Sequence, residues 1–320
     1  MLTGNARSLW SSLLRPRHKA PSYHSKFGGL WIDRTDWRDE IARRKLAADD
    51  AALITHFAEM GYAILPQACS HDAIDAFQRR VSHAFREGNA ALLYQDFFSS
   101  ESRQLVGPVD RLLSRVLDAY VALPEALELF TSPALMRFLK LIFEENPLLF
   151  QSLSFDQGSQ QGLHQDTAYV VVDRPLELAA CWIALEDVME GSGELMYAPG
   201  SHRHPDWPFA PNRKHWQAAT DGQKTLDAWH DFLVASAAAK PDGLKTFLPR
   251  KGDILVWHAD LAHGGSPVKR RDLTRQSLVG HFCPQSVKPN YFAAQPGRAT
   301  IRHYGDLAYA SGHYDLRGTI

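Results

Sequence analysis

The spacing of apolar residues divides the chain into a helical first part and a strand-rich second part. Apolar residues recur at three- and four-residue intervals in the stretches 47–60, 70–85, 105–123 and 133–143. This spacing predicts amphipathic helices; Gly61 is a suitable C-cap for the first helix, and Ser70 a suitable N-cap for the second. A short strand is expected at residues 62–65. Residues 47–145 should therefore be mainly helical and able to support one face of a sheet.

From residue 147 onward the apolar runs become short, and turn residues interrupt them. These runs are residues 148–155, 169–172, 179–185, 195–197, 254–257 and 277–282. Many short strands with frequent turns are typical of a closed jelly roll made of two sheets. The sequence therefore predicts an α+β protein with a mainly β core, in which residues 147–284 form the jelly roll.

Three segments fall outside this pattern. Residues 1–46 are expected to form an irregular N-terminal arm, with a short amphipathic stretch at 9–14, and residues 291–320 a polar C-terminal tail. Between residues 201 and 248 the strand pattern lapses into an insertion with one predicted helix at 226–239. The insertion holds Trp207, Trp216, Trp229, His202, His204, His215 and His230. Since long loops in compact domains are usually functional or mobile, we expect a lid on a single domain of residues 47–290.

Composition narrows the class of protein. A chain of 320 residues with 45% hydrophobic content can bury a substantial core. A net charge of -1 gives no electrostatic reason to expect nucleic acid or an anionic membrane as a partner. Cys69, Cys181 and Cys283 lack C-x-x-C spacing, which argues against disulfides and structural zinc and favours a reducing cytoplasm. Neither a signal peptide nor an apolar run of membrane-spanning length is evident.

The first candidate chemical site is the tripeptide from His164 to Asp166. Alternate residues of a strand share a face, so this imidazole and this carboxylate can bind one ion. With one more histidine they would form the 2-His-1-carboxylate site that holds non-haem Fe(II). The same pattern also occurs at His204/Asp206, His258/Asp260 and His313/Asp315, so the surrounding sequence must decide.

A later segment supplies the remaining candidates. His263 precedes two glycines, where the backbone can approach a bound group closely. His258/Asp260 is a competing pair beside it, but a jelly roll brings ligands together from different strands, which favours His164 and Asp166. Arg275 and Ser277 share a face of the next strand, and a guanidinium is suited to a carboxylate. His281 continues that face, where we expect a core histidine or one that supports a ligand.

Taken in order, these segments resemble the phytanoyl-CoA dioxygenase (PhyH) family of Fe(II)/2-oxoglutarate oxygenases. The shared motifs are H-Q-D, W-I-A-L-E-D, G-E-L-x-x-x-P-G-S-H, the distal His-Gly and R-x-S, within roughly residues 57–284. The resemblance implies a double-stranded β-helix with His164, Asp166 and His263 as iron ligands. It also implies Arg275 as the partner of the 2-oxoglutarate C5 carboxylate. Further co-substrate positions implied in this way are Gln165, Trp182 and Ser277, although core packing alone would also explain Trp182.

The activity implied by the resemblance is hydroxylation of a C–H bond in a small molecule. Fe(II), 2-oxoglutarate and O₂ would be required, and succinate and CO₂ would be released. The same oxidant could instead give desaturation, cyclisation or epimerisation, and the motifs do not separate these outcomes. A non-catalytic cupin-like binding protein is the alternative from another class; Arg275 argues against it, because such a protein needs no clamp for a co-substrate.

Overall fold

The computed structural model describes residues 21–97, 99, 101–239 and 243–318. The amphipathic stretch predicted at 9–14 lies outside them. The α-helices in these ranges are α1 (Trp37–Arg44), α2 (Ala48–Met60), α3 (His71–Glu87), α4 (Pro124–Phe130), α5 (Pro133–Phe143), α6 (Ala218–Ala238) and α7 (Tyr291–Ala294). The strands are β1 (Tyr62–Leu65), β2 (Asn89–Asp96), β3 (Arg103–Leu105), β4 (Ser114–Leu117), β5 (Pro147–Phe155), β6 (Ala179–Ala184), β7 (Leu195–Tyr197), β8 (Lys245–Phe247), β9 (Ile254–His258), β10 (His263–Gly265), β11 (Ser277–Pro284), β12 (Arg302–Tyr304) and β13 (Leu307–Tyr309).

Two sheets form the β core. The large sheet has the strand order β1-β9-β6-β11-β5-β4-β2-β3, and the hairpin β12-β13 joins it through a parallel pairing of β13 with β5. The small sheet has the order β10-β7-β8. Side chains from both sheets meet in one apolar cluster, where Leu195 and Phe247 of the small sheet join Trp182 and Val279 of the large one. Their packing gives the jelly roll that the run of short strands predicted.

Helices α2, α3, α4 and α5 cover the other face of the large sheet. Phe57 of α2 and Phe138 of α5 make an edge-to-face contact, with ring centroids 5.1 Å apart, in the same core as Ile183 of β6. The predicted caps are confirmed: Gly61 takes a left-handed conformation (φ 77°) at the end of α2, and Ser70 accepts a hydrogen bond from Ala73 N at the start of α3. These helices therefore fix the sheet from behind and leave its inner face for the site.

The helix expected at residues 105–123 is wrong. This region holds the end of β3, all of β4 and a short 3-10 helix, Ala119–Val121. Gly107 and Pro108 lie inside the predicted helix, and a proline removes a backbone donor and clashes with the preceding turn. The first part of the chain is consequently less helical than predicted, because β2, β3 and β4 extend the large sheet.

The strand expected at residues 169–172 is also absent. Asp166–Ala168 is a 3-10 helix, and Val172 makes a single isolated bridge, with Pro289. The carbonyl of Asp166 accepts hydrogen bonds from the N–H groups of Tyr169 and Val170. Since this turn satisfies the local backbone groups, the segment does not need a partner strand.

The described parts of the predicted arm and tail pack on the same core. Leu30, Trp31, Ile32 and Trp37 are buried, and the indole Nε1 of Trp31 donates to Leu141 O at 3.0 Å. At the other end, β13 adds to the large sheet and buries Leu307 and Ala308. The arm is thus not irregular throughout, since it contains α1, and the tail is not simply polar.

The insertion contains a longer helix than the one predicted. Helix α6 begins at Ala218 and has a break at Gly222, where φ is 69°. Its Leu226, Trp229 and Leu233 are buried in a cluster with Leu163, close to the candidate site. Among the described residues, no helix has the length and apolar character needed to cross a membrane.

Candidate active site

The structure brings His164, Asp166 and His263 together. His164 and His263 exchange two backbone hydrogen bonds, with N···O distances of 2.8 and 2.9 Å, which place their rings side by side with centroids 4.4 Å apart. Asp166 begins the 3-10 helix that follows. One ligand atom from each residue lies within 4.8 Å of the other two, and all three residues are buried. This is the one group of its kind within the ranges that the structure describes.

Both histidines are oriented by backbone carbonyls. Nδ1 of His164 lies 2.8 Å from Gly162 O, and Nδ1 of His263 lies 2.9 Å from Leu261 O. A carbonyl can only accept, so each Nδ1 carries the hydrogen and each Nε2 presents its lone pair. The Nε2 atoms of His164 and His263 lie 3.9 and 3.6 Å from Asp166 Oδ1. Burial lowers the pKa of His164 to about 3, and the proximity of His263 adds to this effect, so the ring is neutral.

Asp166 is held by Trp257, to which the sequence analysis gave no role, and lies beside His281, which was expected to be a core or supporting histidine. The indole Nε1 of Trp257 donates to Asp166 Oδ2 at 2.8 Å, and Nε2 of His281 lies 3.6 Å from the same oxygen. Burial acts to raise the pKa of Asp166, but the nearby imidazoles of His263 and His281 outweigh it, and the pKa falls below its ordinary value. The group is therefore a carboxylate. A buried neutral imidazole, a second oriented imidazole and this carboxylate fit the donor set of Fe(II).

The competing His-x-Asp pairs lie elsewhere. His258 Nε2 is 3.2 Å from Asp33 Oδ2, and its Nδ1 accepts from Asp260 N at 3.0 Å. Asp260 forms an ion pair with the buried Lys214, which also binds Asp206. In the last pair, Asp315 forms an ion pair with Arg317. None of these carboxylates belongs to the group formed by His164, Asp166 and His263.

A cavity of about 350 Å³ opens beside this group, on the inner face of the large sheet. Its walls come from several strands and from the loop that carries His164. They are formed by Arg115, Gln151, Leu153, Phe155, Ser159, Gln161, His164, Asp166, Tyr169, Val170, Trp182, Leu195, Trp257, His263, Gly264, Gly265, Arg275, Val279 and His281. The three candidate ligands, Trp182 and Arg275 thus share one space of the size that small-molecule sites have.

The Arg275 end of the cavity is rich in buried donors without partners. Arg275 is 3% exposed, and its guanidinium carbon lies 5.5 Å from the centroid of the Trp182 ring. Its Nε has no hydrogen-bond partner within the described ranges. Burial lowers the pKa of Arg275 to about 10, so the side chain remains charged at neutral pH. Trp182 Nε1 and Ser277 Oγ are also buried and have no hydrogen-bond partner in the part of the chain that the structure describes. An anionic ligand is what such a set of donors would satisfy.

Gln165 and Ser277 differ from the other predicted positions. The Gln165 side chain donates from Nε2 to Asp260 O at 2.8 Å, and the structure does not bring it into the cavity wall. The reason is alternation, because Gln165 stands between two residues that face inward. Ser277 shares a face of β11 with the wall residues Val279 and His281, but it is not itself one of the residues that form the wall.

Sequence reasoning missed Trp257, which donates to Asp166, and two residues of the cavity wall, Arg115 and Gln151. Trp257 lies in an apolar strand, where nothing in the sequence separates it from a core tryptophan. Arg115 fell within the wrongly predicted helix, and Gln151 within a strand read as core. The sequence did point to His281, because His281 shares a strand face with Ser277. Its position beside Asp166 agrees with the expectation of a supporting histidine.

Comparison with known proteins places this site in a family. Phytanoyl-CoA dioxygenase, peroxisomal, of Mus musculus is 25% identical over 255 residues, covering 71% of this chain and 66% of that protein. The human protein of that name is 26% identical over 196 residues, 57% of this chain and 52% of that protein. The aligned region thus spans between half and two thirds of the length of these two relatives.

Solved structures show the same fold at low identity. The epimerase SnoN, in complex with Fe3+, alpha ketoglutarate and nogalamycin RO, has a TM-score of 0.58 at 17% identity over 82% of this chain and 98% of its own. EctD from S. alaskensis, with 2-oxoglutarate and 5-hydroxyectoine, has a TM-score of 0.51 at 17% identity, over 75% of this chain and 77% of its own. The predicted jelly roll is therefore confirmed.

A family model, Phytanoyl-CoA dioxygenase (PhyH), matches residues 57–276, more than half of the chain. The resemblance in the motifs is thus confirmed, and the chain belongs to the phytanoyl-CoA dioxygenase (PhyH) family.

Proposed function

We propose that this protein is an Fe(II)- and 2-oxoglutarate-dependent dioxygenase that hydroxylates a C–H bond of a small organic molecule. The observation that carries this proposal is the pairing, within one cavity, of a His-Asp-His group with a buried arginine whose Nε finds no hydrogen-bond partner among the described residues. A metal-binding protein without a co-substrate would not need the arginine. Family membership and the iron- and 2-oxoglutarate-binding structures of the same fold support the proposal.

In this proposal His164 and His263 hold iron through Nε2, and Asp166 holds it through its carboxylate. Iron bound there would activate O₂ for C–H oxidation, coupled to conversion of 2-oxoglutarate into succinate and CO₂. Trp257 holds the carboxylate of Asp166 in position by donating to Oδ2. The protein's contribution is thus to fix three ligand atoms before the metal binds.

The co-substrate would extend from the metal group toward Arg275. The guanidinium, with Trp182 Nε1 nearby, offers donors to the C5 carboxylate of 2-oxoglutarate. Ser277 Oγ is a further buried donor, on the same face of β11 as the wall residues Val279 and His281. A carboxylate accepts more than one such bond, and charge-assisted bonds are the strong ones.

Hydroxylation is the outcome we propose, and related oxidations are the alternative. Solved structures of this fold include an epimerase, a carbocyclase and EctD bound to a hydroxylated compound. The fold therefore does not fix the outcome, which depends on where the substrate is held. The cytoplasmic location also stays a prediction; the three cysteines are buried free thiols, while two relatives carry peroxisomal names.

The proposed function can be tested without a known substrate. Under anaerobic conditions, 2-oxoglutarate is titrated into the Fe(II)-loaded protein while the metal-to-ligand absorption band is followed. We expect the band to form with wild type and with His258→Ala, and to be lost with His263→Ala. Admission of O₂ should then release succinate, at a rate that candidate substrates increase. If 2-oxoglutarate does not bind to the iron-loaded wild-type protein, the proposal is wrong.

A further inference from the structure

A second cavity, of about 200 Å³, adjoins the active-site cavity where β5 meets the C-terminal part of the chain. Gln151, Tyr169 and Val170 belong to the walls of both spaces. The other residues around the second cavity are Phe150, Val171, Asn290, Tyr291, Gly312 and His313. Because the two spaces share one wall, a molecule bound beside the metal group can extend into the second cavity.

The second cavity lies on the far side of the metal group from Arg275. His281 of β11 stands beside the metal group, with Nε2 3.6 Å from Asp166 Oδ2. Arg275 precedes His281 by six residues, which is roughly 20 Å of extended chain. Phe150 lies past His281 in the other direction, with ring centroids 6.5 Å apart. If 2-oxoglutarate lies between the metal group and Arg275, the second cavity is left to the organic substrate.

A bulge in β5 shapes the wall that the two cavities share. Where His281 and Phe282 of β11 follow each other directly, their partners on β5 are separated by one extra residue, Phe150. Successive residues of a regular strand face opposite sides, and a bulge re-aims them. Phe150 and Gln151 accordingly both line the second cavity. The bulge thus extends the binding surface beyond the metal group.

The C-terminal segment that closes the second cavity is held by a buried aspartate. Ser311 Oγ donates to Asp118 Oδ2 at 2.5 Å, and Asp118 also accepts from Ser152 N of β5 at 2.6 Å. Both Asp118 and Ser311 are fully buried. The Ser311 hydroxyl accepts in turn from the backbone N–H of His313 at 3.0 Å. His313 is therefore placed in the cavity wall by contacts that start at β5.

The polar groups of the second cavity suit a neutral partner. The side chains of Gln151, Asn290 and His313 line it and make no hydrogen bond to a described residue. No aspartate, glutamate, lysine or arginine among the described residues lines it. A charged group would therefore be placed there without a counter-ion, which is costly. Each amide offers both a donor and an acceptor, so a group that also has both, such as an amide or a hydroxyl, is favoured.

The size and the aromatic walls of the second cavity suit one ring. Tyr291 Oη donates to Phe150 O at 3.2 Å, which fixes the tyrosine ring against the bulge. Aromatic side chains bind a flat ring through stacked or edge-to-face contacts. An apolar cavity of about 150 Å³ can hold benzene, so this space holds one ring with a substituent.

We propose that the second cavity binds a neutral ring that carries hydrogen-bonding groups, so that the enzyme oxidises an elongated, uncharged molecule whose other end reaches the metal group. The inference rests on the proposed function, because it places 2-oxoglutarate between the metal group and Arg275. Asn290 and His313 are then specificity-determining residues. Both lie outside residues 57–276, the range that the family model matches, so the family match assigns them no role.

The test uses three probes of similar shape with the Fe(II)- and 2-oxoglutarate-loaded protein under anaerobic conditions. These are 4-propylbenzamide, 4-propylbenzoate and 4-propyltoluene. Binding is read from the shift of the metal-to-ligand band, which reports the propyl end near the metal, and from the melting temperature. With wild type we expect the amide to bind about tenfold or more tightly than either of the others. In the variant that combines Asn290→Leu with His313→Leu, this preference should fall at least about threefold, while 2-oxoglutarate affinity stays unchanged.

His303→Leu is the matched control, because His303 is an exposed histidine of β12 outside both cavity walls. It should keep the wild-type preference. The inference is overturned if wild type binds none of the probes, if it binds the benzoate or the toluene as tightly as the amide, or if the combined variant keeps the full preference. A loss of 2-oxoglutarate affinity in the combined variant would also overturn it, by assigning these residues to the co-substrate. Failure of 2-oxoglutarate to bind to wild type would instead contradict the proposed function.

Discussion

The two ends of the cavity treat their buried polar groups in opposite ways. At the metal end, His164, His263 and Asp166 all have protein partners, supplied by two carbonyls and an indole. At the other end, Arg275 Nε and Trp182 Nε1 are buried and have no hydrogen-bond partner among the residues that the structure describes. A metal binds to oriented lone pairs, and at the metal end the Nδ1 hydrogens of both histidines are engaged by backbone carbonyls, which leaves the Nε2 lone pairs for the metal. A carboxylate binds to hydrogen-bond donors, and at the other end such donors are left available.

This difference has an energetic side. A buried donor without a partner costs about 1–3 kcal/mol, and the Arg275 end carries several of them. Such groups are tolerated where a ligand completes them, and a ligand that binds the native state alone stabilises it. The metal end is built for rigidity, and the Arg275 end for recognition of an anion.

The largest effect is expected from removal of a metal-end ligand. His263→Ala should lower Fe(II) affinity by more than about a hundredfold, since even groups that only support metal ligands contribute ten- to a hundredfold. His258→Ala is the control, because His258 faces Asp33 and should keep near wild-type iron content. Metal analysis after equilibrium dialysis measures both. Iron lost from the His258 variant but kept by the His263 variant would reverse the assignment.

The next effect concerns the Arg275 end. Arg275→Ala removes a charge-assisted contact and should weaken 2-oxoglutarate binding on the order of a hundredfold while iron content stays unchanged. The exposed Arg270, paired with Asp272, provides the control variant Arg270→Ala. Titration of the anaerobic Fe(II) protein gives the affinities. If Arg275→Ala binds 2-oxoglutarate with the wild-type affinity, the two ends of the cavity do not differ in the way described.

A pair of tryptophan substitutions sharpens the contrast further. Trp257→Phe removes the donor to Asp166 and should lower iron affinity about tenfold. Trp182→Phe removes an indole N–H that has no partner among the described residues, so it should leave iron binding intact and weaken 2-oxoglutarate binding a few-fold. When the affinities for iron and for 2-oxoglutarate are measured in both variants, Trp257→Phe should mainly lower the first and Trp182→Phe the second. If both variants lose the same affinity, the two ends are not separate.

The sequence predicted those parts of the fold in which local pattern and tertiary packing agree. Helices α2 and α3 have apolar spacing and caps that act within a few residues, and both formed as expected. Strand β4 is different: its apolar residues also fit helical intervals, and its pairing with β5 joins residues far apart in the chain. Such pairing cannot be read from a local window, and Arg115 was missed with it.

The site shows the same division. His164, Asp166 and His263 were predicted from motifs in order, and the structure brings them together. Their supporting residues were harder to foresee. Trp257 faces Asp166 because β9 pairs with β6 in a register that only the folded sheet defines. Gln165 failed to reach the cavity for a local reason, since it alternates with two inward-facing residues.

The smallest effect is expected in the insertion, residues 201–248, which we predict to be a lid. None of its described residues lines the cavity, but Tyr169, which does, contacts the Trp229 ring at 5.8 Å and lies 3.5 Å from His230 Nε2. Ligand binding should therefore reach α6 through Tyr169. We expect 2-oxoglutarate, added to the Fe(II) protein, to slow amide hydrogen exchange in α6 a few-fold, with no change in α3 behind the sheet. Tyr169→Ala should abolish the change in α6 and leave 2-oxoglutarate bound at Arg275. Equal exchange with and without ligand in the wild-type protein would mean that α6 is ordinary packing and not a lid.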